Sequence, residues 1–405
     1  MEEFGDRGSG EVEKSVVDFV ANREKSWLHW LRSSPFSPLH YLSIFTGYSV
    51  SKLTTIAVGL PWDEQTRQVN RGWHNRFVKA TSAKQSFPKF VTDAKYCRGC
   101  MSKDVKIPSC TKSVTNTGRL YVPEELTSSA GDKSIPLMIY IHGGGWTILD
   151  ARWLAYDRLC QEFSRRLGCS VLSLNYRMAP EHPYPYPTED CYAALAWLGS
   201  NDSLEHVPSS IDRERIVVCG DSAGGNLTAA LSLMYRDRRP KGVKIKLQVP
   251  VYPCFFKRPL TTSRTHPYFT YATLLSQSMM RQFELMYKPV DMTDEAFSKL
   301  PYVCCETAGL DQPGLPPTVG IVAGQDILRD EGVSFFRALE NAGQIVEYRQ
   351  WDNASHGFFN NPTSQDRQDA VSYIVQRVAG VLKIDLERRK KSAGGSSSVV
   401  LKAKL

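Results

Sequence analysis

A chain of 405 residues that is 42% hydrophobic and 23% charged has the composition of a globular protein, long enough for one large domain or two ordinary ones, and is not a fibrous or low-complexity sequence. Its formal charge of +8 is spread along the chain except for Arg388-Arg389-Lys390-Lys391, a run without a neighbouring aromatic-rich basic motif, which reads as a solvated tail and not as a nucleic-acid contact. Ten cysteines in so long a chain do not form a compact disulfide framework, and Cys169 and Cys219 lie in apolar contexts, so a reducing compartment is expected.

Met1 to Glu13 is polar and acidic, without the basic start and apolar core of a secretory signal. Glu11 to Arg32 carries Val16, Val17, Phe19, Val20, Trp27, Leu28, Trp30 and Leu31 at helical spacing, and Pro35 and Pro38 end the pattern. Helical patterns recur at Val50 to Gly59 and Arg71 to Ala80. Tyr41 to Leu60 is mildly apolar but interrupted by Lys52, whereas a membrane-spanning helix needs about 20 predominantly apolar residues. The segment therefore reads as a buried or interfacial helix, with a membrane anchor as the alternative. Cys97-x-x-Cys100 with Cys110 resembles part of a zinc site, yet no fourth ligand stands at a suitable spacing and no metal is expected.

Val105 to Ile107 and Leu120 to Val122 predict an antiparallel hairpin at a sheet edge, and Ser128 to Lys133 a loop. Apolar strand patterns then recur at Leu137 to Ile141, Ser170 to Leu174, Ile216 to Cys219, Leu247 to Tyr252, Val319 to Ala323 and Val346 to Trp351. Between and after them stand helical patterns at Asp157 to Leu167, Glu189 to Leu198, Asn226 to Tyr235, Glu331 to Ala342 and Asp366 to Val381. The last places Val371, Ile374, Val375, Val378 and Val381 on one face. Such alternation predicts an α/β fold with a mostly parallel, doubly wound sheet covered on both sides. From Cys254 to Pro317 no strand is expected, and Ser276 to Tyr287 is helical and rich in aromatic and sulfur side chains. This insertion, about 255 to 317, is expected to act as a lid above the C-terminal strand ends.

The chemistry centres on Gly220-Asp221-Ser222-Ala223-Gly224, which follows a β-branched run and opens a helix. In this nucleophile-elbow pattern the glycines allow close backbone approach and the serine is held out at the helix start. His142-Gly143-Gly144-Gly145-Trp146 follows another apolar strand, and its glycines can turn backbone N–H groups toward a tetrahedral oxyanion. His142 itself is read as fixing that loop. A serine hydroxyl needs a base, and the base an acid to fix its tautomer. His356, between the final strand and the final helix, occupies the base's place. Of the other histidines, His29 and His40 lie in the N-terminal helices, His182 in a Pro-rich loop and His206 and His266 in polar turns. Asp326, directly after a strand, is the expected acid, whereas Asp330 looks like the N-cap of the helix from Glu331.

Taken together, H-G-G-G-W, Asn175 to Pro185 (N-Y-R-M-A-P-E-H-P-Y-P), G-D-S-A-G-G-N, D-I-L-R-D-E-G and S-H-G-F resemble the hormone-sensitive-lipase-like branch of the α/β-hydrolases, over roughly residues 90 to 385. The resemblance implies an α/β-hydrolase fold with a helical cap, and a triad of Ser222, Asp326 and His356. It implies oxyanion donors from the backbone of Gly143, Gly144 and Ala223. Trp146 is expected as a substrate contact. It further implies a cap made of the N-terminal helices, residues 1–90, and the insertion. The departure from the family is that long, tryptophan-rich N-terminus. The expected reaction is serine ester hydrolysis by two-step acyl transfer, requiring no cofactor and no metal. An acyl-CoA thioesterase, a membrane-associated lipid or sterol-ester deacylase and a non-catalytic receptor are the alternatives.

The sequence closes on Ala403-Lys404-Leu405, similar to the S-K-L address read by the peroxisomal import receptor, after a flexible Gly394 to Ser398 stretch in the tail 386–405. A peroxisomal location is expected, with the cytoplasm or the endoplasmic-reticulum membrane as the alternatives, and a role in specialised-metabolite or lipid chemistry.

Overall fold

The computed structural model describes residues 99–124, 134–266 and 275–387. The N-terminal helices, Tyr41 to Leu60, Cys97, the 128–133 loop, the Arg388 to Lys391 run and the Ala403-Lys404-Leu405 ending lie outside the described residues.

Among the described residues eight strands make one sheet. They are β1 (Cys100–Pro108), β2 (Thr115–Pro123), β3 (Ile135–Ile141), β4 (Ser170–Leu174), β5 (Ile211–Asp221), β6 (Ile245–Val251), β7 (Thr318–Gln325) and β8 (Val346–Ser355). Their order across the sheet is β1-β2-β4-β3-β5-β6-β7-β8. The β1–β2 and β2–β4 pairings are antiparallel and all others parallel. The expected edge hairpin is present, but each strand is 9 residues long and not a short apolar fragment. Lys103, Asp104 and Lys106 belong to β1 although they are exposed, because an edge strand needs apolar residues only on its covered face. Every residue of β3 and β4 is buried, as befits strands covered on both faces.

Helices α1 (Leu154–Leu167), α2 (Tyr186–Leu198), α3 (Ala223–Arg238), α4 (Thr262–Thr265), α5 (Gln277–Tyr287), α6 (Asp294–Ser298), α7 (Arg329–Asn341) and α8 (Gln365–Leu382) fill the connections. On one face α1 and α8 pack against Met138, Tyr140, Val217, Val249 and Ile321 in a single core. On the other, α3 and α7 bring Ala229, Leu233, Phe335, Phe336 and Leu339 together with Val322. Two helical layers around a sheet give the expected doubly wound architecture. In α8, Val371, Ile374, Val375 and Val378 are buried as predicted, but Val381 is 40% exposed and Leu382 is buried. At 3.6 residues per turn Leu382 returns to the face of Val371 after about three turns, and Val381 stops short of it.

Between β6 and β7 the described residues form no strand, as expected, and carry α4 to α6. Helix α5 is capped by Ser276, whose side chain accepts from the Met279 N–H, and it buries Met280, Phe283, Met286 and Tyr287. The insertion is clasped to the start of α7. Ser263 Oγ donates to the Ile327 carbonyl at 2.8 Å, and the Ser263 N–H donates to Asp330 Oδ2 at 2.8 Å. Asp330 is therefore not the N-cap. It lies in the first turn of α7, with Leu328 at the cap position, because the docking strap recruits its carboxylate. Arg264, itself buried, pairs with Glu331 at 3.0 Å and also with Glu284 of α5. Among the described residues no helix is long and apolar enough to cross a membrane.

Arg258 also reaches Glu284, at 2.8 Å, whereas Glu331 lies fully buried with Arg264 as its ion-pair partner. Burial pushes the Glu331 carboxyl up to about 7, with Arg264 opposing and Glu284 reinforcing the rise. An acid whose folded form prefers its proton stabilises the fold below its ordinary range, and that contribution is lost as pH rises through about 7. The wild-type thermal midpoint should thus fall more between pH 5 and pH 8 than that of Glu331→Gln; parallel pH profiles for the two proteins would refute the linkage.

Candidate active site

Ser222 sits between the end of β5 and the first residue of α3 with φ 57° and ψ −118°, a strained conformation for a side-chain-bearing residue. It is locked there from both sides: its N–H donates to the Val251 carbonyl at 2.9 Å and its own carbonyl accepts from the Asn226 N–H at 3.1 Å. The flanking glycines are required by space. A Cβ on Gly224 would lie 2.0 Å from the Ile141 carbonyl oxygen, and one on Gly220 would lie 2.5 Å from the Gly224 oxygen. The strand end, the turn and the helix start are thus in backbone contact.

His356 follows β8 and Asp326 follows β7, so both reach Ser222 from the same edge of the sheet. His356 Nε2 stands 2.9 Å from Ser222 Oγ, and His356 Nδ1 stands 2.7 Å from Asp326 Oδ2. With the imidazole proton on Nδ1, the ring donates to Asp326 and accepts from the serine hydroxyl. Asp326 is 1% exposed, and its other oxygen accepts from the Leu328 N–H at 2.9 Å, which fixes the carboxylate plane. The three expected residues, 104 and 30 positions apart in sequence, form one continuous hydrogen-bonded chain.

The glycine loop departs from expectation at its first member. The Gly143 N–H is already engaged, donating to Tyr156 Oη at 3.0 Å and to Asp221 Oδ1 at 3.2 Å, and is not available to an oxyanion. The Gly144 and Gly145 amides have no acceptor among the described residues. Their φ values of +102° and +58° turn this stretch over, and the Gly144 carbonyl accepts from the Thr147 and Ile148 N–H groups. The Ala223 amide opens α3, where the first N–H groups lack intrahelical partners. His142 has the loop-fixing part expected of it. Its Nδ1 lies 2.8 Å from the Gly143 carbonyl, its ring stacks on Tyr176 at 4.5 Å, and burial pushes its imidazole down, toward the neutral form.

Trp146 also departs from expectation. It is 0% exposed and stacked on Tyr287 of α5 at 4.4 Å, with Phe256 at 5.0 Å, so it is a packing residue that fastens the insertion to the glycine loop, not a surface offered to substrate. Beside it Phe283 of α5 lies directly on Gly145, where a Cβ would come 2.4 Å from the ring. Tyr156 and Phe283 carry no local motif. They enter the site only because α1 and α5 fold over it, and the nearest sequence hint is the aromatic content of the Ser276 to Tyr287 helix.

The other sequence candidates stay apart from this chemistry. His182 packs edge-on to Tyr186 and His206 lies against Trp197. Cys100 is buried in the core, and the exposed Cys110 accepts from Arg177 Nη2 at 2.8 Å. Among the described residues no three His, Cys, Asp or Glu side chains are grouped to hold a metal.

Residues 138–360 match the model of a family described as an alpha/beta hydrolase fold. The chain is similar to the carboxylic ester hydrolase LipN of Mycobacterium tuberculosis, 36% identical over 244 residues, which are 59% of this chain and 61% of that one. It thus spans less than two thirds of that relative. It is also similar to arylacetamide deacetylase of Mus musculus, 29% identical over 297 residues, or 60% of this chain and 72% of the relative. Among solved structures it resembles a bacterial heroin esterase, with TM-score 0.64 and 27% identity over 75% of this chain and 90% of that one. A hyperthermophilic esterase from Pyrobaculum calidifontis matches with TM-score 0.61 and 28% identity, over 79% of this chain and 99% of that one.

The contact between Gly145 and Phe283 gives a direct test of how loop and insertion meet. Gly145→Ala should lower the thermal midpoint markedly, and the same change should cost less in a Phe283→Ala background, where the ring it strikes is gone. Equal losses in the two backgrounds would show that the ring does not constrain the loop.

Proposed function

The chain belongs to the α/β-hydrolase fold family, and from that premise we propose that it hydrolyses carboxylic esters by acyl transfer through Ser222. The observation that carries the proposal is the unbroken chain from Ser222 Oγ through the His356 ring to the buried Asp326. In the first step Ser222 Oγ attacks the ester carbonyl while His356 Nε2 takes its proton. Asp326 holds the imidazole in the competent tautomer and stabilises the imidazolium that forms. The leaving alcohol then collects that proton from His356. Water repeats the sequence on the acyl-enzyme, releasing the acid and restoring Ser222. For the oxyanion we assign the amides of Gly144, Gly145 and Ala223, because the Gly143 amide is engaged and the next two are not. Preorganised donors of this kind stabilise the charge that develops in the transition state.

Ser222→Ala should abolish hydrolysis of short p-nitrophenyl esters, and Asp326→Asn should lower kcat by about 10³- to 10⁴-fold with the fold intact. Undiminished turnover in Ser222→Ala would remove the nucleophile assignment.

We also infer that Ala403-Lys404-Leu405 is read by the peroxisomal import receptor, placing ester turnover in specialised-metabolite or lipid chemistry of that organelle. The small-basic-leucine pattern and the Gly394 to Ser398 spacer support this reading. A fluorescent fusion should be punctate with the tripeptide and diffuse without it; puncta that persist after its removal would overturn the assignment.

A further inference from the structure

Asp221, one residue before the nucleophile, is a carboxylate only 2% exposed, and the acyl-transfer steps do not use it. Four donors surround it. Tyr140 Oη donates to Oδ1 at 2.9 Å and the Gly143 N–H to the same oxygen at 3.2 Å. Tyr156 Oη donates to Oδ2 at 3.1 Å and Tyr252 Oη at 3.4 Å. The donors come from β3, the glycine loop, α1 and the residue after β6, so one side chain joins four parts of the fold at the C-terminal edge of the sheet. Burial, with the nearby carboxylate adding to it, pushes all three phenols well above their ordinary range, so each keeps the proton it donates.

Two of these contacts lead straight into the reaction geometry. Tyr156 Oη both donates to Asp221 and accepts from the Gly143 N–H at 3.0 Å, so the first loop amide is clamped between a carboxylate and a phenol. The clamp is close enough to demand glycine: a Cβ on residue 143 would lie 2.9 Å from Asp221 Oδ2 and 3.1 Å from Tyr156 Oη. Tyr252, held at φ 32°, packs its ring edge-on against the His356 imidazole at 5.1 Å and against Phe358 and Phe359 behind it. Stability alone does not call for a carboxylate here, since apolar replacement of buried charge networks is often neutral or better.

We propose that Asp221 is the positioning residue of the oxyanion loop. Together with Tyr156 it holds the Gly143 amide inward, which leaves the Gly144 and Gly145 amides free for the oxyanion, and through Tyr252 it braces the face of His356. The proposal rests on the acyl-transfer reading of Ser222. It assigns Asp221 no contact with substrate and no proton transfer. The expected signature is a loss of transition-state stabilisation without a loss of substrate binding.

The test uses the full chain, with active sites counted by stoichiometric labelling with an aryl phosphonate so that kcat refers to folded, acylatable enzyme. Asp221→Ala should lower kcat per labelled site by about 10²-fold with KM within about threefold of wild type. Asp221→Asn keeps the shape and one acceptor oxygen and should recover part of that loss. Tyr156→Phe removes one hydroxyl from the clamp and should lower kcat per site by about tenfold, and it decides the matter if Asp221→Ala does not fold. Unchanged kcat per labelled site in Asp221→Asn and Tyr156→Phe, whatever happens to the thermal midpoint, would overturn the proposal, as would a rise confined to KM. Failure of the phosphonate to label wild type would instead strike the reading of Ser222 and remove the proposal with it.

Discussion

Everything at the centre of this molecule hangs on one backbone contact, the approach of Gly224 to the carbonyl of Ile141. Ile141 is the last residue of β3, and the oxyanion loop starts with the next residue; Gly224 is in the first turn of α3, two residues past Ser222. A Cβ at Gly224 would overlap the Ile141 oxygen at 2.0 Å, and the His142 oxygen lies only 2.7 Å from the same point. The contact that seats Ser222 therefore also sets how far the glycine loop stands from it. Were the two elements held apart by a side chain, the turn could survive, but serine and loop would no longer share one rigid seat.

Charge is arranged around that seat by a consistent rule. Each buried carboxylate near the C-terminal strand ends is held by several donors from different elements. Asp326 is held by His356 and the Leu328 amide, Asp221 by three phenols and the Gly143 amide, and Glu331 by Arg264 and the Phe255 amide. Isolated buried charge is expensive to desolvate, so such groups persist only where the surroundings over-determine them. The insertion follows the same rule. It is attached by the aromatic stack of Trp146 and Tyr287 and by the ionic clasp of Arg264, which joins its helix α5 to the catalytic layer a few residues from Asp326.

How much of this could be read in advance depends on whether the constraint is local. Inner strands were legible because fully buried strands are continuous apolar runs, and the elbow and glycine loop because a turn without room for Cβ demands glycine at set places. The meeting of Ser222, Asp326 and His356 was legible because strand–loop–helix order puts them at one sheet edge. The misreadings at the site and its clasp involve a partner far along the chain. Gly143 looks like its neighbours until Tyr156 of α1 and Asp221 of β5 take its amide. Trp146 looks like an open aromatic until Tyr287, 141 positions later, stacks on it. Asp330 fits an N-cap until the Ser263 strap claims its carboxylate. Nothing within ten residues of any of these positions encodes its partner.

The oxyanion loop is where local and distant constraints meet, and its chemistry is what they leave over. From below, Asp221 and Tyr156 fasten its first amide; from above, Phe283 lies on Gly145 and Tyr287 on Trp146. Between these attachments remain two amides, those of Gly144 and Gly145, facing no acceptor among the described residues, with the Ala223 amide beside Ser222. A loop of three glycines free in solution would lose much conformational entropy on being ordered around an oxyanion. Here contacts on both faces already hold the loop. Donors fixed in that way need little reorganisation as charge builds, which is the condition under which hydrogen bonds stabilise a transition state more than a ground state. The residues that shape the loop are therefore as much a part of the proposed chemistry as the glycines themselves.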